Sequence, residues 1–123
     1  MNTVLWTLQG ILAAIFLGAG MAKLVQSKSK LESKMAWVTD FASGHVKVIG
    51  ILELIAATGL ILPAALNRFP ILTAWAAAGL MILMLGAALT HALRNEGLMI
   101  VPTVMLATTA AVAAWARFGP YPL

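Results

Sequence analysis

The chain has 123 residues, of which 62% are hydrophobic and 10% charged, with a mean hydropathy of +0.97; soluble domains are roughly half apolar and a quarter charged, so this composition belongs in a bilayer. The 8 Lys and Arg against 4 Asp and Glu leave +4, an excess that suits membrane orientation and anionic lipid and argues against nucleic acid as a partner. With zero cysteines there is no disulfide, thiolate metal site or thiol nucleophile, so any electron chemistry needs a borrowed cofactor.

Thr3 to Leu24 is the first apolar run, broken only by Gln9 and closing on Lys23. At about 20 residues it can cross a hydrocarbon core. Ala19, Gly20 and Ala22 have the small side chains of a cleavage region, but no basic residue precedes the run, so it reads as a span rather than a signal peptide. Beyond it, Ser29 and Glu32 stand at capping-box spacing, Leu31, Met35, Val38 and Ala42 recur at helical intervals, Lys30 and Lys34 lie off that stripe, and Gly44 offers a stop. Ser29 to Ser43 is therefore expected to be an amphipathic helix on the membrane surface, with Trp37 and Phe41 in the interface; an ordinary loop is the alternative.

Val46 to Leu66, Phe69 to Leu93 and Leu98 to Ala116 are three more runs of spanning length. Pro63 lies near the end of the second span, Asn67 to Pro70 forms a short turn with Pro70 opening the next helix, Arg94 to Gly97 is as tight, and Gly119, Pro120 and Pro122 end the fourth. None of the runs alternates with the period of two that barrel strands need. The expectation is an all-α fold: a polytopic membrane four-helix bundle, one domain over residues 1–123, with spans near 3–24, 46–66, 69–93 and 98–116 and an amphipathic interfacial helix between the first two.

Four crossings put the first and third connections on one face and both termini with the second connection on the other. The first face carries Lys23, Lys28, Lys30, Lys34, Lys47 and Arg94, the second only Arg68 and Arg117, so the positive-inside rule predicts that both termini lie outside the cytoplasm. Trp6, Trp75 and Trp115 fall toward the second face, with Tyr121 beyond them, as an aromatic belt requires.

Three side chains could carry chemistry. Glu53 is seven residues past Val46, roughly 10 Å below the first face. A carboxylate at that depth must face the bundle interior and either find a cation or stay protonated. Val46, Gly50, Glu53, Ala57 and Ala64 share a helix face whose small residues permit close approach. Lys23 closes the first span on the same side of the membrane and can reach inward to pair or outward to lipid phosphate. His91, near the same end of the third span, can exchange a proton, donate to a ligand or bond an interhelical carbonyl. His45 and Lys47 belong at headgroup level. Gln9 is expected to bond a neighbouring helix, with Thr73, Thr90, Thr103, Thr108 or Thr109 as partner. The seven methionines read as packing, and neither a haem pair nor a carboxylate metal cluster is expected.

Gly18-Ala-Gly-Met-Ala-Lys23-Leu24, the basic amphipathic loop, Val48-Ile-Gly-Ile-Leu-Glu53-Leu, the Pro-bounded hairpin and the histidine closing the third span together resemble the DoxX-like family over nearly the whole chain. That family comprises small four-helix membrane proteins, and its named relatives include a membrane subunit of thiosulfate:quinone oxidoreductase and, more distantly, receptor-assembly chaperones of the endoplasmic reticulum. The resemblance carries over to Lys23, Glu53 and His91 as the ligand-binding positions. It implies an accessory protein of the bacterial inner membrane that binds a quinone or other lipid-like molecule, not covalently, and supports a membrane oxidoreductase rather than acting as a stand-alone enzyme. Two other readings stand beside it: a scaffold that docks partner helices without a ligand, and a small membrane enzyme using Glu53 and His91 as acid and base on a lipid-like substrate. Membrane lipid and oxidoreductase subunits are the partners implied, and the stripe Gly10, Ala14 and Gly18 permits a homo-oligomer.

Overall fold

The computed structural model describes residues 2–26 and 43–122. Four helices form there, α1 (Asn2–Val25), α2 (Ser43–Ala65), α3 (Ile71–Leu93) and α4 (Gly97–Phe118), with no strand among the described residues. They contain 24, 23, 23 and 22 residues, which at 1.5 Å per residue makes each about 33–36 Å long. All four are long and apolar enough to cross a membrane. Helices suit this role because every backbone group is bonded within the segment, where no water can help.

Neighbours in sequence are neighbours in space: α1 packs on α2, α2 on α3, α3 on α4, and α4 returns to α1 to close a four-helix bundle. Its centre is made of Leu12 and Phe16 from α1, Ala57 and Leu60 from α2, Ala77 and Leu80 from α3, and Ala110 and Ala113 from α4. Lipid is as apolar as leucine, so helix association depends on close packing, and alanines at these positions let the backbones approach. Ile55, Ile82, Leu89 and Met105 point outward and are each more than half exposed, and Ile11 and Met21 of α1 are about half exposed, so all four helices present apolar side chains to the outside.

The helix ends differ from the expected spans by a few residues. α2 begins at Ser43 rather than Val46, so Gly44 lies in its first turn. Apart from Ser43, the expected amphipathic helix, with Trp37 and Phe41, lies outside the described residues. The third span starts at Ile71 rather than Phe69, because Pro70 occupies the N-cap with φ −60° and ψ −20° and disfavours helical geometry in the residue before it. Phe69 is left with φ 50°. α2 and α3 both end in the same reversal: Asn67 (φ 53°) and Asn95 (φ 58°) are left-handed, and the following N–H groups of Arg68 and Glu96 reach back to Pro63 and His91 carbonyls at 3.1 and 2.8 Å. Asparagine tolerates this conformation, and the motif satisfies carbonyls that a helix end would otherwise orphan.

Pro63 inside α2 cannot donate to Gly59, four residues earlier. Thr73 of α3 supplies the missing donor, its Oγ1 donating to the Gly59 carbonyl at 3.0 Å, the kind of replacement that makes proline tolerable within a membrane. Gln9 is buried and does bond across helices, but not to a threonine. Its Nε2 donates to the Leu60 carbonyl at 2.8 Å and its Oε1 accepts from Arg117 Nε at 2.8 Å. These partners leave no mark in the sequence because a backbone carbonyl is invisible as a side chain, and because Arg117 reads as a terminal basic residue rather than an interior one.

Candidate functional site

Where α1 leaves the first face and α2 returns from it, the two backbones nearly touch. A Cβ on Gly20 would lie 2.8 Å from the Gly50 carbonyl oxygen, and one on Gly50 would lie 2.9 Å from Lys23 Cβ. Side chains on a helix lean toward its N-terminus. In this antiparallel pair, Lys23 therefore leans deeper into the membrane and Glu53 leans up toward the face, so the two converge over Gly50. Lys23 Nζ donates to Glu53 Oε1 at 2.7 Å. Lys23 is 7% exposed and Glu53 2%, so the lysine reaches inward rather than to lipid phosphate, and the carboxylate has the cation that its depth demands.

His91 closes α3 on the same side of the bundle and is 7% exposed. Its Nδ1 lies 3.1 Å from Glu96 Oε1, which also accepts from Arg94 Nε at 3.1 Å. The left-handed Asn95 turns the chain back after α3, and this reversal is what sets a carboxylate five residues on beneath the imidazole. With Nδ1 engaged, the second ring nitrogen remains the group His91 can offer to a guest. In the sequence Glu96 stands only in a tight turn. Helical spacing of three or four residues does not bring positions 91 and 96 together, and the signal that could have found the contact is the Asn-Glu pair straight after a histidine-bearing helix end.

Lys23, Glu53 and His91 line one cavity of about 410 Å³, together with Thr90, Thr103 and apolar side chains that include Ile49, Ile82 and Met84. The structure thus brings all three sequence-derived candidates to a single space at the first-face end of the bundle. Thr90 and Thr103 spend their hydroxyls on Gly86 and Met99 carbonyls within their own helices. Lys47 takes no part, its Nζ donating to the Leu24 carbonyl at 3.0 Å, and His45 is exposed. Among the described residues, no cluster of His, Asp or Glu could hold a metal ion. Chemically the cavity offers an ammonium, a carboxylate and an imidazole at the end of an apolar slot, a set that can hold a ligand's oxygen atoms and exchange protons with them.

A family model described as the DoxX-like family matches residues 7–113. No curated protein and no solved structure matches the chain.

Proposed function

This chain belongs to the DoxX-like family as a multi-pass membrane protein of four apolar helices, and we propose that it binds a quinone or other lipid-like small molecule in the Lys23, Glu53 and His91 cavity in support of a membrane oxidoreductase. The observation that carries this reading is the coincidence of the buried Lys23–Glu53 pair at 2.7 Å with His91 on the wall of one largely apolar cavity of about 410 Å³. Small-molecule sites are commonly apolar cavities of about 300–1,000 Å³ with a few convergent polar groups. A paired lysine and carboxylate sum to no net charge, so the cavity suits a neutral head group with carbonyl or hydroxyl oxygens. Reduction of such a head group consumes protons as well as electrons. Glu53 and His91 are placed to exchange the protons, Lys23 to favour the reduced, ionised oxygen, and the electrons come from the partner enzyme. The same reading puts the protein in the bacterial inner membrane with both termini outside the cytoplasm, since Lys23, Lys47 and Arg94, with Lys28, Lys30 and Lys34 of the first connection in the sequence, outnumber Arg68 and Arg117.

Native mass spectrometry of the protein in mild detergent, with added short-chain ubiquinone, tests this. A one-to-one adduct is expected for the wild type and at least about tenfold less of it for His91→Phe, in line with loss of a buried hydrogen bond. Ala87→Phe, which adds bulk to the cavity wall and leaves Lys23 and Glu53 unchanged, is expected to abolish the adduct. Undiminished adduct in both variants refutes the site.

A further inference from the structure

At the opposite end of the bundle, Arg117 in the last turn of α4 is 3% exposed. Its Nε donates to Gln9 Oε1 at 2.8 Å, and its Nη1 donates to Asn2 Oδ1 at 2.9 Å and to the Tyr121 carbonyl at 3.0 Å. Every one of these acceptors is neutral. Nη2 is buried and has no hydrogen-bond partner among the described residues. The described carboxylates are both elsewhere, Glu53 on Lys23 and Glu96 on His91 and Arg94. Arg117 is therefore a buried guanidinium, charged at any accessible pH, with two N–H donors unspent and no counter-anion among the described residues, an arrangement that is costly unless something anionic completes it.

Arg117 also forms one wall of a cavity of about 430 Å³ whose other walls are Asn2, Pro120, Tyr121 and Pro122. Its depth is marked by aromatic side chains. Trp75 and Trp115 are 62% and 61% exposed, Tyr121 lies beyond them, and Trp75 meets Phe118 edge to face at 5.1 Å. Exposed tryptophan and tyrosine collect at headgroup level. We infer that this second cavity binds an anionic phosphate group, whose charge answers the Arg117 guanidinium in its wall, and that the headgroup of an anionic phospholipid supplies it. Arginine's planar fork matches phosphate oxygens. A free phosphate ion presents the same chemistry without the acyl chains.

The two sources are separated by thermal unfolding of the detergent-purified protein with phosphatidylglycerol, phosphatidylcholine or inorganic phosphate, read alongside lipid adducts by native mass spectrometry. Phosphatidylglycerol is expected to raise the unfolding temperature and remain as a one-to-one adduct, with phosphatidylcholine retained about tenfold less, since its choline cation offsets the phosphate charge beside a buried guanidinium. Stabilisation by inorganic phosphate without stabilisation by phosphatidylglycerol, lost in Arg117→Gln, supports the phosphate site and assigns it to the free ion. Arg117→Gln is expected to lose the phosphatidylglycerol adduct. Pro122→Glu, which keeps Arg117 and places a competing carboxylate in the cavity wall, is expected to weaken the adduct and guards against a folding defect in the first variant. Equal retention of both lipids, no stabilisation by any of the three, or an undiminished adduct in Pro122→Glu overturns the proposal.

Discussion

The Lys23–Glu53 pair shows how one buried contact divides into a cost and a gain. Each charge would be expensive alone at 7% and 2% exposure, and each is tolerated because the other stands 2.7 Å away. Glu53→Leu strands the ammonium and is expected to destabilise the detergent-solubilised protein by about 3–5 kcal/mol, while adding Lys23→Met should restore most of that loss. Thermal unfolding of the two single variants and the double variant checks this. If the double variant is as unstable as the sum of the singles, the pair does not act as a unit. Recovery of stability without recovery of ligand binding in the double variant would assign the pair to function, since an apolar replacement can fill its volume but not its chemistry. His91 has a comparable dependence on one neighbour. Glu96 holds its Nδ1 at 3.1 Å, and the carboxylate is positioned by a backbone reversal rather than by helix spacing.

Helix-to-helix contact here is set by what is missing from side chains. Gly20 and Gly50 lack the Cβ atoms that would collide, and that absence is what draws α1 and α2 close enough for Lys23 to reach Glu53. Pro63 lacks an N–H, and α3 compensates through Thr73 at 3.0 Å from the Gly59 carbonyl. The compensation gives a sharp expectation. Thr73→Val should cost about 1 kcal/mol in the wild-type background, the scale of interhelical hydrogen bonds in membranes, and close to nothing with Pro63→Ala, where the helix regains its own donor. A reversible unfolding series on the four proteins measures the difference, and equal costs in both backgrounds would show that Thr73 does not serve the proline-freed carbonyl. Proline near the end of a span is easy to notice in a sequence. Which neighbour answers it is not, because Thr73 is fourteen residues away and on another helix.

The bundle as a whole is two-ended. Lys23, Glu53, His91, Arg94 and Glu96 gather at one end, Asn2, Gln9, Arg117 and Tyr121 at the other, and the alanine-rich centre between them contains only apolar side chains in its main cluster. Arg117 bonds Asn2 across 115 positions of sequence, so the start of α1 and the end of α4 are held together on one face. The excess of basic residues on the other face predicts that the termini lie outside the cytoplasm. With zero cysteines in the chain, single Gly97→Cys and Pro122→Cys variants have no labelling background. A membrane-impermeant maleimide added to intact spheroplasts is expected to modify the cysteine at position 122 and spare that at 97. The reverse pattern would invert the orientation.

Hydropathy and spacing made the four spans, their tight second and third connections and the inward acid legible, because a bilayer imposes length and backbone satisfaction on any chain that crosses it. Lys23, Glu53 and His91 were legible for a related reason: ionisable groups are rare enough within spans to stand out individually. Their convergence on one cavity, the inward turn of Lys23, the hold of Glu96 on His91 and the burial of Arg117 required the fold. Each of these depends on how far apart two backbones lie or on the direction a cap gives the chain, and those distances arise from packing between segments that carry no mark of one another in their residues.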